Sequence, residues 1–489
     1  MAVTFNSPGV YVQEIQKLPA SVAQVATAIP AFIGYTEKTP THASEPEADP
    51  GQPVKSVRIN SLLDFETVFG GPPAEDILIT VDKEHAVTGA KIEKMSPFKL
   101  YYALKMFYAN GGGACHILSV GIYNSGNEVK KDDLMKGLDA LEAEDEPTLI
   151  VLPEAVYLNK EADIYELYKK ALEQCNKLQD RFAVLDTVND KMEAIEELRN
   201  GIGVRNLKYG AAYYPWIKTN LNYHHTNSKI RFEAPKDADK VLTGTLEELL
   251  KKNKPKETTG RTSSKTKEHD EAKMTPARAL TSAFLKNIRE EIDQLKVTLP
   301  PSSAIAGVYA TVDRERGVWK APANTSLNAV NGPTVKVTSD MQESMNVDPD
   351  TGKSVNAIRS FFGKGTLVWG ARTLAGNDNE WRYINVRRFY NMVEDSVKKS
   401  ISWVVFEPNQ PNTWVRVRAM IENYLTGLWR QGALVGANTQ QAFYVSVGLG
   451  TTMTSQDILE GRMNVEIGLA TSRPAEFVIL KFSHKLQEA

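Results

Sequence analysis

Between residues 95 and 215 the chain alternates helix-period and strand-period hydrophobicity, and this narrows the possible folds more than any other feature. Residues 98–110 (FKLYYALKMFYAN) have helical spacing and stop at Gly111, Gly112 and Gly113. CHILSV (115–120) follows as a strand, and a polar helix around 132–143 leads to TLIVLP (148–153), a short buried strand. Ile164, Leu167, Tyr168, Ala171, Leu172, Cys175 and Leu178 then repeat at the spacing of one helix face, and RFAVLDT (181–187) is the next strand. Such alternation predicts an α/β fold with a central parallel sheet covered by helices.

Bulk properties exclude several classes of protein. With 489 residues, 42% of them hydrophobic, the chain has material for several domains with buried cores. Its net charge of −2 argues against a protein whose main task is holding nucleic acid. Two cysteines, Cys115 and Cys175, make no disulfide framework and read as buried small hydrophobes. MAVTFNSPGVYV lacks the charged and apolar regions of a secretory leader, and no apolar run spans a bilayer. The expectation is a protein made and folded in the cytoplasm, with no direct membrane insertion.

The remaining chain divides by composition. Residues 1–35 form an apolar N-terminal arm and first strands, and 36–94 read as surface loops and small outer elements. The α/β region covers 95–216 and 275–365. Between its parts, 217–274 is a polar, lysine-rich segment expected on the surface, with little to bury. Thr275-Pro276 reads as a helix start, followed by the stripe Leu280, Phe284, Ile288, Ile292 and Leu295. A C-terminal α+β domain is expected over 366–474. It contains strand TLVWGA (366–371), a helix carrying Trp381, Ile384, Phe389, Met392, Val393 and Val397, strand SWVVF (402–406), and a second helix capped at Asn412-Thr413 and ended by Gly432. QAFYVSVG (441–448) and RMNVEIGLA (462–470) are further strands, and 475–489 is a terminal strand arm.

Chain ends are usually polar and frayed. Here both are apolar and strand-like. Val478, Leu480, Phe482 and Leu486 share one face of the last segment, opposite Lys481, Ser483 and Lys485. Near the start, Val10 and Val12 oppose Tyr11, Gln13 and Ile15. Such strands pair within their own subunit or add to a neighbour's sheet, and pattern alone leaves both open.

Candidate chemistry is sparse. None of the seven histidines, at 42, 85, 116, 224, 225, 269 and 484, precedes a motif-grade nucleophile, and His85 and His116 lack a convincing partner. Gly111–Gly113 follows a helix and precedes a strand, the reverse of a phosphate loop, and Gly363-Lys364-Gly365-Thr366 lacks the P-loop spacing. His224-His225 has no third ligand in view. Catalytic, metal and cofactor sites are therefore expected to be absent. Asp313-Arg314-Glu315-Arg316-Gly317 reads as a solvated turn or an ion-pair network, and Arg387-Arg388 and Glu394-Asp395 as charges able to pair with neighbouring elements.

Several segments, in this order, resemble the contractile tail sheath proteins of myophages and related injection systems. They are SPGVYVQE (7–14), TAIPAFIGY (27–35), NGGGACHILSV (110–120), DRFAVLD (180–186), YGAAYYPW (209–216), LPPSSAIAGVYATVDRERGVWKAPAN (299–324), NAIRSFFGKGTLVWGARTL (356–374), INVRRFYNMVEDSV (384–397), VFEPN (405–409) and GRMNVEIGLATSRPAEFVILKF (461–482). The 217–274 segment has no counterpart in the family. The resemblance implies a subtilisin-like central region and a structural, non-enzymatic role. It implies stacked six-fold rings around an inner tube, assembled in an extended, metastable form that shortens without consuming nucleotide.

The same resemblance implies that Val10, Tyr11, Val12 and Ile15 in the N-terminal arm, and Phe477, Val478, Ile479, Leu480 and Phe482 in the C-terminal arm, link adjacent subunits. Asp457, Glu460 and Arg462 are the tube-facing candidates. Implied partners are further copies of the chain, the tube protein, and baseplate and terminal cap proteins, with no nucleic acid and no cofactor. The implied setting is a phage tail or tail-like particle assembled in the cytoplasm and able to be released. The TAIPAFIGY-type start is closer to injection particles than to many phage sheaths; virus tail, bacteriocin and injection particle stay open. Competing readings are another shell-forming structural protein and an α/β hydrolase.

Overall fold

A computed structural model describes residues 22–40, 54–82, 86–124, 126–233, 244–252, 282–477 and 479. The chain divides into a larger unit, Ala26–Arg388, and a smaller one made of residues up to Val25 together with Phe389 onward.

The larger unit is built on a nine-stranded sheet. Its strand order is Thr325–Ser326, Gly365–Trp369, Val355–Phe361, Gly210–Tyr214, Phe182–Asp186, Leu149–Val151, Pro30–Thr36, Cys115–Ile122, Ser56–Ile59. The six strands from Val355–Phe361 to Cys115–Ile122 run parallel, and the outer strands are antiparallel. The predicted strands near 115, 148 and 182 are all in this sheet, as expected of continuous apolar runs buried on both faces. Helix Glu161–Leu178 buries Ile164, Leu167, Tyr168, Ala171, Leu172 and Cys175, the stripe its spacing predicts.

Three expectations need correction. The polar excursion was drawn too wide at its start. Ile217–Asn222 is the central strand of a small antiparallel sheet between Lys296–Leu299 and Val330–Pro333, and Ile217 and Thr219 are fully buried. Ile230–Glu233 pairs in parallel with Asp76–Val81, which pairs with Val87–Lys94. Helices Leu246–Lys252 and Ser282–Gln294 close this sheet over a core that includes Ile77, Ile79, Ile230, Leu249, Phe284 and Ile288. Short half-buried strands such as IKTNLN, with four polar and two apolar residues, and IRFE, with two of each, are hidden from composition alone. Residues 253–281, including Thr275-Pro276, lie outside the described residues.

The C-terminal domain also starts later than residue 366. Gly365–Trp369 belongs to the main sheet as the partner of Val355–Phe361, and the division falls after Arg388. Two strands joined by a glycine turn form a hairpin, so their local pairing outweighs the composition shift that marks 366 in the sequence. In the smaller unit, helices Ile384–Ser400 (from Phe389) and Pro411–Arg430 accompany a two-stranded antiparallel sheet, Phe443–Ser446 with Glu466–Leu469. The SWVVF segment is not a strand: Ser402–Val404 is a 3₁₀ turn. A short apolar run becomes a strand only with a partner for its ladder, and among the described residues none pairs with it.

Candidate functional site

Parallel α/β sheets bind ligands outside the carboxyl ends of their strands, where strand order reverses. In the larger unit this point lies at Pro30–Thr36, between Cys115–Ile122 and Leu149–Val151. It is filled from within. The Glu154 carboxylate accepts the backbone N–H groups of Tyr35 and Lys99 at 2.8 Å and of Leu100 at 3.0 Å. The last two open helix Leu100–Ala109, so an internal anion occupies the place a bound anion would take. A Cβ on Gly34 would come within 2.8 Å of Glu154 Oε2, so only glycine allows this approach.

Lys99 Nζ meets Glu75 at 3.0 Å, and both side chains are wholly buried. Burial pushes Glu154 up to about 7, against the opposing pull of its three N–H partners and Lys99. Burial likewise lowers Lys99, with Glu75 opposing. Asp186 repeats the arrangement. It accepts the Ser302 N–H at 2.8 Å, and burial pushes it up to about 7, with Ser302 opposing.

Other candidates resolve similarly. From sequence His116 has no convincing partner; the fold supplies two. Nδ1 lies 2.8 Å from Ser56 Oγ and Nε2 lies 2.9 Å from Glu146. Arg58 takes the other oxygen of Glu146 at 3.0 Å, and Ser56 stands on an extended edge strand, not on the sharp turn that presents a nucleophile beside oxyanion donors. Burial pushes the Cys115 thiol up to about 12 and raises Cys175, so neither is a reactive thiolate. Gly111 sits at φ +88° after its helix, where a Cβ would collide with Thr311. Gly363 and Gly365, at φ +71° and +76°, shape a hairpin turn. Among the described residues no group of three His, Cys, Asp or Glu is placed to hold a metal. No helix of the described residues is long and apolar enough to cross a membrane. The charged stretch at 313–317 provides an ion pair: Arg388 grips Asp313 at 2.6 and 3.0 Å, both almost fully buried, and also donates to the Thr27 carbonyl at 2.7 Å.

The smaller unit is different. Three segments enclose an apolar groove of about 940 Å³. One wall is a single face of the Ile384–Ser400 helix and the residue after it: Tyr390, Val393, Glu394, Val397, Lys398 and Ile401, at 3, 1, 3, 1, 3 spacing. The opposite wall is one face of an extended segment, Met463, Val465, Ile467 and Leu469, at spacing two. The turn around Val404, Val405, Phe406 and Pro408 closes the end. Phe406 is fully exposed with φ +70°, and Val405 is 65% exposed.

The predicted site residues fall as follows. Phe477 and Ile479 are exposed, at 71% and 79%. Val478, Leu480 and Phe482, and all four N-terminal arm residues Val10, Tyr11, Val12 and Ile15, lie outside the described residues. Asp457, Glu460 and Arg462 form one cluster. Asp457 completes a capping box with Thr454 at the start of Ser455–Leu459 and also accepts from Arg462 at 2.8 and 3.0 Å. The Thr454 N–H and hydroxyl and Arg462 hold its carboxyl down to about 2. Arg462 pairs with Glu460 as well. These charges pair with one another, and beside them the apolar Leu459 side chain is exposed, at 82%. Sequence reasoning missed the groove: each wall is legible as a periodic stripe, but their convergence is not.

Comparison with known proteins follows this division. The phage tail sheath C-terminal domain family matches residues 376–485, which contain the groove. The chain is 28% identical to the sheath of an extracellular contractile injection system, PVC, in its contracted state, over 99% of both chains, with a TM-score of 0.64. The chain is similar to contractile tail sheath proteins along nearly its whole length. A second sheath, that of the contracted anti-feeding prophage, is 29% identical over 99% of this chain and 100% of its own, with a TM-score of 0.62. Among curated sheath proteins, that of Vibrio phage KVP40 is 24% identical over 136 residues, 28% of this chain and 20% of its own length. A prophage major tail sheath protein of Pseudomonas aeruginosa is 25% identical over 137 residues, 28% of this chain and 35% of its own length. The chain thus spans between about a fifth and a third of the length of these curated relatives.

Proposed function

We propose that this chain is the sheath subunit of a contractile injection machine. Copies stack as hexameric rings around an inner tube in a metastable extended state. Shortening of the stack drives the tube through a target envelope without nucleotide hydrolysis. The likeness to contracted sheaths along 99% of the chain is the observation that carries this reading. The filled crevice of the larger unit supports a role that needs no bound ligand.

The groove of the smaller unit takes the C-terminal strand of a second copy. The exposed Phe477 and Ile479 are the start of that strand, and Val478, Leu480 and Phe482 continue it. Glu394 and Glu407 among the groove residues are opposite in charge to Lys481 and Lys485 of that segment. Val10, Tyr11, Val12 and Ile15 make the corresponding N-terminal link. Asp457, Glu460 and Arg462, with Leu459 beside them, face the tube. Baseplate and terminal cap proteins complete the particle, which assembles in the cytoplasm.

Negative-stain microscopy of the chain co-expressed with its tube protein tests the reading: rods of uniform width are expected. Closed shells or flat lattices would point instead to another shell-forming protein. The Ser56–His116–Glu146 chain is the one observation favouring a hydrolase. Esterase or peptidase turnover that disappears in Ser56→Ala would establish that alternative; none is expected.

A further inference from the structure

The helix that walls the groove also holds the root of the chain's own N-terminal segment. The Ala23 N–H donates to Ser400 Oγ at 3.1 Å and the Val25 N–H to Ser396 Oγ at 3.0 Å, while Val22 is buried. Alternate residues of an extended segment thus meet serines one helical turn apart, running antiparallel to the helix. Beyond it, within the larger unit, Thr27 is gripped by both members of the Arg388–Asp313 pair, its hydroxyl donating to Asp313 at 2.6 Å. Residues 22–25 are therefore strapped to this helix at successive points.

The two serines interleave with the groove residues. Ser396 lies between Val393 and Val397, and Ser400 between Val397 and Ile401. At about 100° per residue, the pair Ser396 and Ser400 is centred roughly 110° around the helix from the centre of the groove face. A helix is stiff on this scale, so any rotation or sideways shift that lets the groove close on a strand carries both serine hydroxyls with it. Each hydroxyl accepts a backbone N–H from the strap, and neither can move without disturbing residues 22–25.

We propose that the Ile384–Ser400 helix is a strut that couples the strand a subunit receives to the arm it donates, with Ser396 and Ser400 as the positioning residues. This rests on the groove being the docking site for a second copy's C-terminal strand. Filling of the groove by one neighbour then changes the seating of the arm that reaches the next. Links around and along the stack are read in series, which suits an assembly that changes state as a wave and not subunit by subunit.

The test uses the full-length chain and a synthetic peptide of residues 474–489, PAEFVILKFSHKLQEA. Peptide binding should slow hydrogen exchange at the Ala23 and Val25 amides by roughly tenfold, the scale of one to two net hydrogen bonds. In Ser396→Ala/Ser400→Ala the peptide should bind within about threefold of the original affinity while the exchange response disappears; alanine favours the helix, so folding is retained. The Ser396→Thr/Ser400→Thr variant keeps both hydroxyls and should keep the response. Peptide that binds without altering exchange at Ala23 and Val25 overturns the strut and leaves the docking reading intact. An unchanged response in the double alanine variant overturns the role of the serines. Absence of binding, or binding indifferent to Ile467→Lys, overturns the docking reading and the strut with it.

Discussion

The larger and smaller units differ in where their charged groups find partners. In the larger unit several deeply buried carboxylates are answered internally. Glu154 takes three backbone N–H groups, Glu75 takes Lys99, Asp186 takes the start of the Ser302–Arg316 helix, and Asp313 takes Arg388. In the smaller unit the charges at Asp457, Glu460 and Arg462 sit at the surface and pair with one another, while apolar side chains at Val405, Phe406 and Leu459 stand in solvent. Buried charges met by fixed partners hold packed elements in one arrangement, whereas an open apolar groove is a surface on which another chain can dock.

The largest effect that can break this contrast is on assembly. Removing residues 477–489 should abolish rods and leave a folded chain with an unchanged circular dichroism spectrum and thermal midpoint. Loss of folding would mean that the segment pairs within its own subunit. Ile467→Lys in the groove should have the same consequence by placing a charge on the docking wall, and sedimentation of assembled material reports it.

In the larger unit the expected effects are on stability. Glu154→Ala leaves three buried N–H groups without an acceptor and should cost at least ~3 kcal/mol in denaturant unfolding. Glu154→Gln keeps an acceptor and should cost less. It should also flatten a pH dependence whose sign follows from the direction of the shift. Glu154 has a folded value of about 7, above the ordinary 4.5, so the folded state holds its proton more tightly. Its contribution is fully present below pH 4.5 and is lost as pH rises through about 7. Asp186, raised from 3.8 to about 7, acts in the same sense. Thermal midpoints across pH 4–8 should therefore lose part of their downward slope in Glu154→Gln.

The smallest effect concerns the surface cluster. Thr454→Ala removes the cap of Ser455–Leu459 and should cost about 1 kcal/mol. Asp457→Lys would break the same cap and the Arg462 pair, so it cannot isolate tube contact. Glu460→Lys spares the cap and is the sharper probe: it should reduce the length of sheath formed around the tube with little change in unfolding midpoint. Sheath of normal length would remove Glu460 from the tube-facing surface.

Much of this was legible in the sequence, for a definite reason. Helix and strand periodicity in the larger unit is strong because parallel strands are buried on both faces and their helices on one, so local pattern and burial agree. Ile164 to Cys175 and the strands near 115, 148 and 182 follow from hydrophobicity alone, and ordered segments such as 299–324 and 461–482 carry the family resemblance. What only tertiary structure decided is every feature made by residues distant in the chain. Ser56, His116 and Glu146 meet through strand pairing, Glu154 reaches Tyr35 and Lys99 across the sheet's reversal point, and the strands at 217 and 230 exist only because 296–299 and 76–81 are there to pair with them. The groove has the same origin: two stripes about 70 residues apart become one surface because packing brings them together. Periodicity reports which face of an element is apolar. It carries no information about which other face comes to lie opposite, because that is set by the free energy of the whole packed unit.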